Sequence, residues 1–167
     1  MVPARPEANA SLVVDASATP AVLIVEDDRV DAMVLRELLE RDGRFGHIHV
    51  VRDGEQALGL WQQAERTMVP PCAEFPPDIV FLDINMPKMD GFEFLSAYEK
   101  LPETFRTKTK VVLLLGGLEP DRDRDRARIH EVVVASLEKP FTSLAVGEVA
   151  DHLIGPREPR RPHRRSH

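Results

Sequence analysis

Residues 78–95 read DIVFLDINMPKMDGFEFL, and this stretch decides the fold class. It begins with a short apolar run of the kind found in strands that are buried on both faces of a parallel sheet. The run ends at Asp83, and a helix is predicted from Gly91, with apolar side chains at helical spacing at Phe92, Phe94, Leu95 and Tyr98. An acidic side chain at the end of a buried strand lies where open α/β sheets bind their ligands.

The alternation of strand and helix continues on both sides of this stretch. Strands are predicted over residues 21–25, 47–51, 78–82, 111–115 and 132–138. Helices are predicted over residues 29–41, 56–64, 91–100, 121–130 and 143–153. Five strands alternating with five helices indicate a doubly wound α/β fold, in which right-handed crossovers cover both faces of a parallel sheet. Two strand orders are common for such sheets, and the pattern alone leaves both open.

The two ends of the chain differ from this regular middle. Residues 1–20 are small and punctuated by proline, and residues 155–167 contain five arginines and one acid. We expect both ends to be flexible tails that flank one domain of residues 21–154. The Arg-rich tail is too short for a DNA-binding helical domain, so no such output domain is expected.

Charge and composition exclude several classes of function. Residues 1–154 carry 17 basic and 27 acidic side chains, so this part of the chain would repel nucleic acid and attract metal cations. The single cysteine, Cys72, excludes an internal disulfide framework and fits a reducing compartment. The longest near-apolar run, residues 111–118, is far too short to span a bilayer, so we expect a cytoplasmic protein. The chain also lacks a GxxxxGK nucleotide-binding loop, so we do not expect an independent enzyme.

Charged side chains follow three of the predicted strands. Glu26, Asp27 and Asp28 follow the first strand, Asp83 follows the third, and Lys139 follows the fifth. The carboxyl ends of parallel strands share one edge of the sheet, so these groups should meet there. Clustered carboxylates repel one another, and a divalent cation that prefers oxygen ligands, such as Mg²⁺, relieves that repulsion. A lysine beside them would add a second positive charge for a phosphoryl group.

Three pieces of the sequence together resemble the receiver domain of two-component response regulators. They are VLIVEDD at 22–28, DIVFLDINMPKMDGFEFL at 78–95 and EKPF at 138–141. The middle piece, an aspartate that closes an apolar strand and is followed by NMPKMDG, is the most specific of the three. The resemblance covers about residues 21–154 and implies the strand order 2-1-3-4-5.

The resemblance also implies a role for each residue at the strand ends. Asp83 matches the phosphoacceptor, which would take a phosphoryl group from a sensor histidine kinase. Glu26, Asp27 and Asp83, with the main-chain carbonyl of Asn85, match the residues that hold Mg²⁺. Lys139 matches the lysine that contacts the phosphoryl oxygens, and a cis peptide bond is expected before the proline that follows it. Such a protein is no enzyme beyond assisting its own phosphorylation and dephosphorylation.

Two positions depart from the pattern of the family. Receivers usually carry Thr or Ser at the end of the fourth strand, where this chain has Leu115 or Gly116. They also carry Tyr or Phe three residues before the lysine, where this chain has Ser136. The residues for phosphoryl transfer are therefore present, while the usual conformational switch is altered. This leaves two hypotheses: a phosphorylated response regulator, or a pseudo-receiver that binds its partner whether or not it is phosphorylated.

The region between the third and fourth strands narrows the resemblance to a subgroup. FEFLSAYEKLPETFRTKTKVVLLL, followed by LEPDRDRDRA, is similar to stand-alone receivers that pair with sensor kinases, including phytochrome-type kinases. The resemblance implies an output through protein–protein contact around the fourth predicted helix, the fifth strand and the fifth helix. Stand-alone receivers often form homodimers, and the exposed faces of the last helix are candidates for that contact.

Several other side chains have structural explanations. Asp28 is expected to cap the first helix, although an Asp27–Asp28 metal pair is the alternative to Glu26–Asp27. His47 and His49 alternate with apolar residues and should lie on one side of a strand or at its rim, away from any metal. Trp61 lies on the apolar stripe of a helix and is expected in the core. The sequence DRDRDRAR at 121–128 favours a solvated helix start.

Overall fold

A computed structural model describes residues 19–106 and 108–159 of the chain. The sheet in these residues has five parallel strands in the order β2-β1-β3-β4-β5. The strands are β1 (Val22–Val25), β2 (Ile48–Val51), β3 (Ile79–Asp83), β4 (Lys110–Leu115) and β5 (Val133–Glu138). This arrangement confirms the predicted doubly wound fold class and the strand order that the family resemblance implied.

Six helices connect these strands within the described ranges. They are α1 (Arg29–Asp42), α2 (Gly54–Thr67), α3 (Gly91–Tyr98), α4 (Glu103–Arg106), α5 (Pro120–Ala127) and α6 (Ser143–Leu153). The sequence predicted five, because α4 is a single turn and is too short to show a helical period. The fourth and fifth predicted helices therefore correspond to α5 and α6.

Local capping residues fix both ends of α1 and the start of α3. The carboxylate of Asp28 accepts hydrogen bonds from the N–H groups of Val30 and Asp31, which confirms Asp28 as the N-cap of α1. Gly43 ends α1 with a φ of 83°, a conformation that glycine adopts without strain. Asp90 and Glu93 form a reciprocal capping box at the start of α3.

Two apolar layers pack against the two faces of the sheet. Helices α2, α3 and α5 cover one face, and α1 and α6 cover the other. Trp61 of α2 is fully buried, and its ring lies edge-on to Phe75, Phe94 and Tyr98 with centroid distances of 5.3, 6.2 and 5.4 Å. The prediction that Trp61 belongs to the core is thus confirmed, and the proline-rich loop before β3 contributes Phe75 to that core.

The charged residues of α5 and the histidines of the sheet edge lie outside the core, as predicted. Ala127 is the one buried residue of α5, so this helix is solvated. His47 and His49 are exposed at the edge strand β2. Among the described helices, none is both long and apolar enough to cross a lipid bilayer.

Parts of the two predicted tails fall within the described residues. Residues 1–18 and 160–167, which make up most of the two predicted flexible tails, lie outside the described residues. Arg157, in the described part of the Arg-rich end, forms an ion pair of 2.9 Å with Asp42 at the end of α1. Arg44 joins the same cluster by donating to the carbonyl of Gly155. These contacts hold the segment after α6 against the turn between α1 and β2.

Candidate functional site

The strand-end site consists of Glu26, Asp27, Asp83, Asn85 and Lys139, which follow or end β1, β3 and β5. One carboxylate oxygen from each of Glu26, Asp27 and Asp83 lies within 4.8 Å of the other two. Glu26 and Asp83 are almost fully buried, at 1% and 2% exposed, whereas Asp27 is exposed. The fold therefore brings together the three acidic side chains that the sequence predicted, and leaves one of them open to solvent.

Lys139 reaches into this cluster from the end of β5. Its Nζ lies 2.7 Å from Glu26 Oε2 and 3.5 Å from Asp83 Oδ1. The peptide bond between Lys139 and Pro140 is cis, as predicted. The ammonium group thus lies between the two buried carboxylates and faces the predicted phosphoacceptor.

Asp31 is a further member of the cluster that the sequence analysis missed. Its Oδ2 lies 3.1 Å from Lys139 Nζ, and it belongs to the first turn of α1. The sequence did place an acidic residue in the first turn of the predicted helix. Acidic residues are common there because they interact favourably with the helix dipole, so this position alone did not indicate a role in the site. The contact becomes visible only in the fold, where the long side chain of Lys139 reaches from the end of β5 along the edge of the sheet to the first turn of α1.

Burial and charge shift the proton affinities of the buried groups. Burial raises the pKa of Glu26 to about 8, and the Asp83 carboxylate adds to this rise while Lys139 opposes it. Burial also raises the pKa of Asp83 above its usual range. Burial alone would lower the pKa of Lys139, but Glu26 and Asp83 outweigh it and raise that pKa. Both buried carboxylates are therefore costly to ionise without a further positive charge, which a bound cation would supply.

Asn85 and Gly91 shape the loop that follows Asp83. The N–H of Asn85 donates to Asp83 Oδ1 over 3.3 Å, so the main chain of this loop turns around the aspartate. A Cβ atom at Gly91 would lie 2.7 Å from the carbonyl oxygen of Asp83 and 2.9 Å from the Cα of Ile84. Only glycine fits there, because α3 begins directly against the end of β3. This close approach explains the glycine of the NMPKMDG motif.

The end of β4 offers no hydroxyl to the strand-end site. Leu115 is 2% exposed and packs in the core layer under α2, α3 and α5. Gly116 follows it, and a Cβ atom there would lie 2.8 Å from Cδ of Lys139. The aliphatic part of Lys139 therefore passes close over Gly116, in space that a side chain would otherwise fill.

The α5–β5 face, defined here by Arg124, Ser136 and Glu138, occupies the position of the usual aromatic switch residue. Arg124 of α5 donates through Nε to Ser136 Oγ over 3.3 Å, and its guanidinium also forms an ion pair with Glu138. Ser136 borders a groove of about 180 Å³ between α5 and β5. The sequence predicted the loss of the aromatic residue but not the arginine that joins the two elements.

Two known regulatory proteins are similar to this chain in sequence. The chain is 29% identical over 138 residues to the probable methanogenesis regulatory protein FilR2 of Methanothrix harundinacea, which covers 80% of this chain and 83% of FilR2. It is 33% identical over 101 residues to the response regulator Rcp1 of Synechocystis, which covers 60% of this chain and 65% of Rcp1.

Solved structures share the same fold. The bacteriophytochrome response regulator RtBRR superposes with a TM-score of 0.65 at 28% identity, over 87% of this chain and 84% of RtBRR. The Mn²⁺-bound form of Rcp1 superposes with a TM-score of 0.63 at 24% identity, over 84% of this chain and 99% of Rcp1. Residues 22–146 also match the family model described as the response regulator receiver domain. With most of its length matched and its fold and strand-end carboxylates in place, the chain belongs to the response regulator receiver domain family.

Proposed function

We propose that this receiver works in a two-component phosphorelay, and that Asp83 accepts a phosphoryl group from a sensor histidine kinase in a Mg²⁺-dependent reaction. The observation that carries this proposal is the strand-end site itself. Three carboxylates gather within 4.8 Å, and a lysine lies 3.5 Å from the predicted acceptor. Structural packing alone gives no reason to bury two acids beside each other.

The donor set of the site suits Mg²⁺. Carboxylates and main-chain carbonyls are oxygen ligands, which Mg²⁺ and Mn²⁺ both prefer. We propose that Glu26, Asp27, Asp83 and the carbonyl of Asn85 hold the ion, directly or through water. The raised pKa values of Glu26 and Asp83 support this assignment, because burial makes the ionised carboxylates costly and a bound cation would offset that cost. When bound, the ion would neutralise charge on the phosphoryl oxygens.

The reaction is a nucleophilic displacement at phosphorus. A carboxylate oxygen of Asp83 attacks the phosphorus of a phosphohistidine, and an O–P bond forms as the N–P bond breaks. The electron pair of the N–P bond stays on the imidazole nitrogen, which then takes up a proton. Lys139 contacts the phosphoryl oxygens and offsets their charge. The chain assists only its own phosphorylation and dephosphorylation and has no separate substrate.

Labelling with a small phosphodonor tests this proposal. Phosphoramidate with Mg²⁺ should add one phosphoryl group to the wild-type chain, measured by intact mass, and Asp83→Asn should add none. Asp28→Asn is the matched control, since asparagine caps a helix as well as aspartate does. It should label normally, whereas Asp27→Asn should label slowly. A wild-type chain that gains no mass, or an Asp83→Asn chain that labels, would contradict the proposal.

A second candidate function is a pseudo-receiver that binds its partner regardless of phosphorylation. Leu115 and Ser136 favour it, because neither can play the part of the usual hydroxyl and aromatic pair. The two candidates differ in how partner affinity responds to phosphodonor. Under labelling conditions, the wild-type and Asp83→Asn forms of a phosphorelay receiver should bind the partner with different affinities. A pseudo-receiver should bind equally well in both forms.

We further propose that the donor is a phytochrome-type kinase and that the output is a protein–protein contact on α5, β5 and α6. RtBRR, a bacteriophytochrome response regulator, supports the choice of kinase. Phosphotransfer from a phytochrome-type kinase should be faster than from an unrelated histidine kinase at equal concentration. A homodimer through α6 remains a prediction, supported by Leu144, which is 74% exposed on that helix.

A further inference from the structure

Lys139 contacts one carboxylate that has no part in the proposed phosphoryl chemistry. Its Nζ lies 2.7 Å from Glu26, 3.1 Å from Asp31 and 3.5 Å from Asp83. Glu26 is a proposed metal ligand, and Asp83 is the proposed acceptor. Asp31 lies outside the group of carboxylates that converge within 4.8 Å. Its contact with the ammonium therefore needs an explanation of its own.

The structure holds both Asp31 and Lys139 in place. The N–H of Asp31 donates to the N-cap carboxylate of Asp28 over 2.9 Å, which fixes the first turn of α1. The aliphatic part of Lys139 passes close over Gly116. The side chain of Lys139 is 18% exposed and that of Asp31 is 37% exposed, so the ion pair is partly shielded from water. Shielding makes such a pair stronger than a fully exposed one.

The importance of Asp31 increases when the site is loaded. A cation on Glu26 and a phosphoryl group on Asp83 would compete with Lys139 for these two carboxylates. Asp31 would still be available to the ammonium and would keep it beside the phosphoryl oxygens. In this chain the placement matters more than usual, because Leu115 and Gly116 supply no hydroxyl for the same oxygens.

We propose that Asp31 is a positioning residue that holds Lys139 in the orientation needed to bind the phosphoryl group. The inference rests on the proposed role of Asp83 as acceptor. Asp31 itself touches neither the acceptor nor the phosphoryl group, and it acts through the lysine.

The test compares Asp31→Asn with Glu37→Gln. Both changes remove one negative charge from α1, but Glu37 pairs with Arg41 on the exposed side of that helix. With phosphoramidate and saturating Mg²⁺, Asp31→Asn should be phosphorylated about tenfold more slowly than wild type, as expected for a pair in contact. Glu37→Gln should match wild type. Asp31→Glu, which keeps the charge, should recover part of the rate.

A double-mutant cycle separates positioning from a general effect on the fold. In a Lys139→Gln background, Asp31→Asn should cause no further loss, because its effect passes through the lysine. An equal loss in both backgrounds would overturn the inference, as would an Asp31→Asn rate equal to that of Glu37→Gln. A wild-type chain that takes no phosphoryl group would instead overturn the proposed function. The two failures therefore give different results.

Discussion

The strand-end site and the α5–β5 face are adjacent in the fold, yet they follow the family pattern to different degrees. Glu138 and Lys139 are neighbours in sequence and belong one to each region. At the strand-end site, the acids and the lysine that the resemblance implied are present and lie close together, although the end of β4 lacks the usual hydroxyl. On the α5–β5 face, Ser136 replaces the aromatic residue, and Arg124 joins α5 to β5 in its place.

This difference has an energetic basis. Glu26 and Asp83 are buried, so replacing either one would leave the other group, or Lys139, without its partner in a poorly solvated place. The Arg124–Glu138 pair is partly exposed, and such pairs contribute about 0–1 kcal/mol. Contacts of that size can be exchanged with little effect on folding. Substitutions at the strand-end site are therefore costly to folding, whereas the α5–β5 face can change at little cost.

The largest effect that we expect is a steep dependence of Mg²⁺ affinity on pH. The proposed binding of Mg²⁺ by Glu26 requires its carboxylate to be ionised, and burial raises the pKa of that group to about 8. Affinity should rise by roughly tenfold per pH unit up to about pH 8 and then level off, as measured by calorimetric titration. The same group also links folding to pH. The pKa of Glu26 is about 8 in the metal-free fold and 4.5 in the unfolded chain, so between these values the folded chain holds a proton that the unfolded chain has released. The stability of the metal-free fold should therefore fall as the pH rises from about 4.5 to 8.

Glu26→Gln is the control for this prediction. The variant should bind Mg²⁺ more weakly and with a much flatter pH profile. Arg124→Ala, on the α5–β5 face, should keep the wild-type profile, which separates the two regions. A wild-type affinity that does not change between pH 6 and pH 8 would contradict the assignment of Glu26 as a metal ligand.

The sequence predicted most of the fold and the members of the site for one physical reason. Parallel strands that are buried on both faces appear as continuous apolar runs, and their carboxyl ends share an edge, so Glu26, Asp83 and Lys139 could be placed together. The strand order came from the resemblance, since an alternating pattern fits more than one order. Asp28 could be identified as a cap because a cap depends only on residues beside it in sequence.

The features that the sequence missed depend on contacts between distant elements. Asp31 meets Lys139 only because the lysine side chain extends from the end of β5 to the first turn of α1, and no local pattern in the sequence indicates that contact. Arg124 reads as one of several charges on a solvated helix, although its guanidinium reaches across to Ser136. Helix α4 is one turn long, below the length at which periodicity can be read.

The next largest effect is a loss of stability on replacing the glycine at the start of α3. Gly91→Ala places a Cβ 2.7 Å from the carbonyl oxygen of Asp83, so β3 and α3 must move apart. We expect a loss of about 1–3 kcal/mol in the free energy of unfolding, as for other overpacked positions, and slower phosphorylation. Chemical denaturation measures the first and phosphoramidate labelling the second.

Gly59 provides the matched control, because it lies within α2 and a Cβ there would meet nothing within 4 Å. Gly59→Ala should raise the stability by about 0.5–1 kcal/mol, since alanine favours helix more than glycine does. It should leave labelling unchanged. If both substitutions destabilised the chain equally, the close approach of α3 to Asp83 would not be the cause.

The smallest effect is expected at the α5–β5 face. Arg124→Ala removes the contacts with Ser136 and Glu138 and should cost less than about 1 kcal/mol of stability, because these groups are partly exposed. A double-mutant cycle with Glu138→Gln, measured by denaturation at low and high salt, gives the energy of the ion pair itself. That energy should decrease as salt screens the charges.

The rate at which Arg124→Ala takes a phosphoryl group decides how far the two regions are independent. If Arg124 only joins α5 to β5, the rate should equal that of wild type, while partner affinity in the phosphorylated form changes. A slowed rate would mean that the guanidinium acts back on the site through Glu138 and its neighbour Lys139. The α5–β5 face would then be part of the chemistry, and the separation between a constrained site and a variable surface would not hold in this chain.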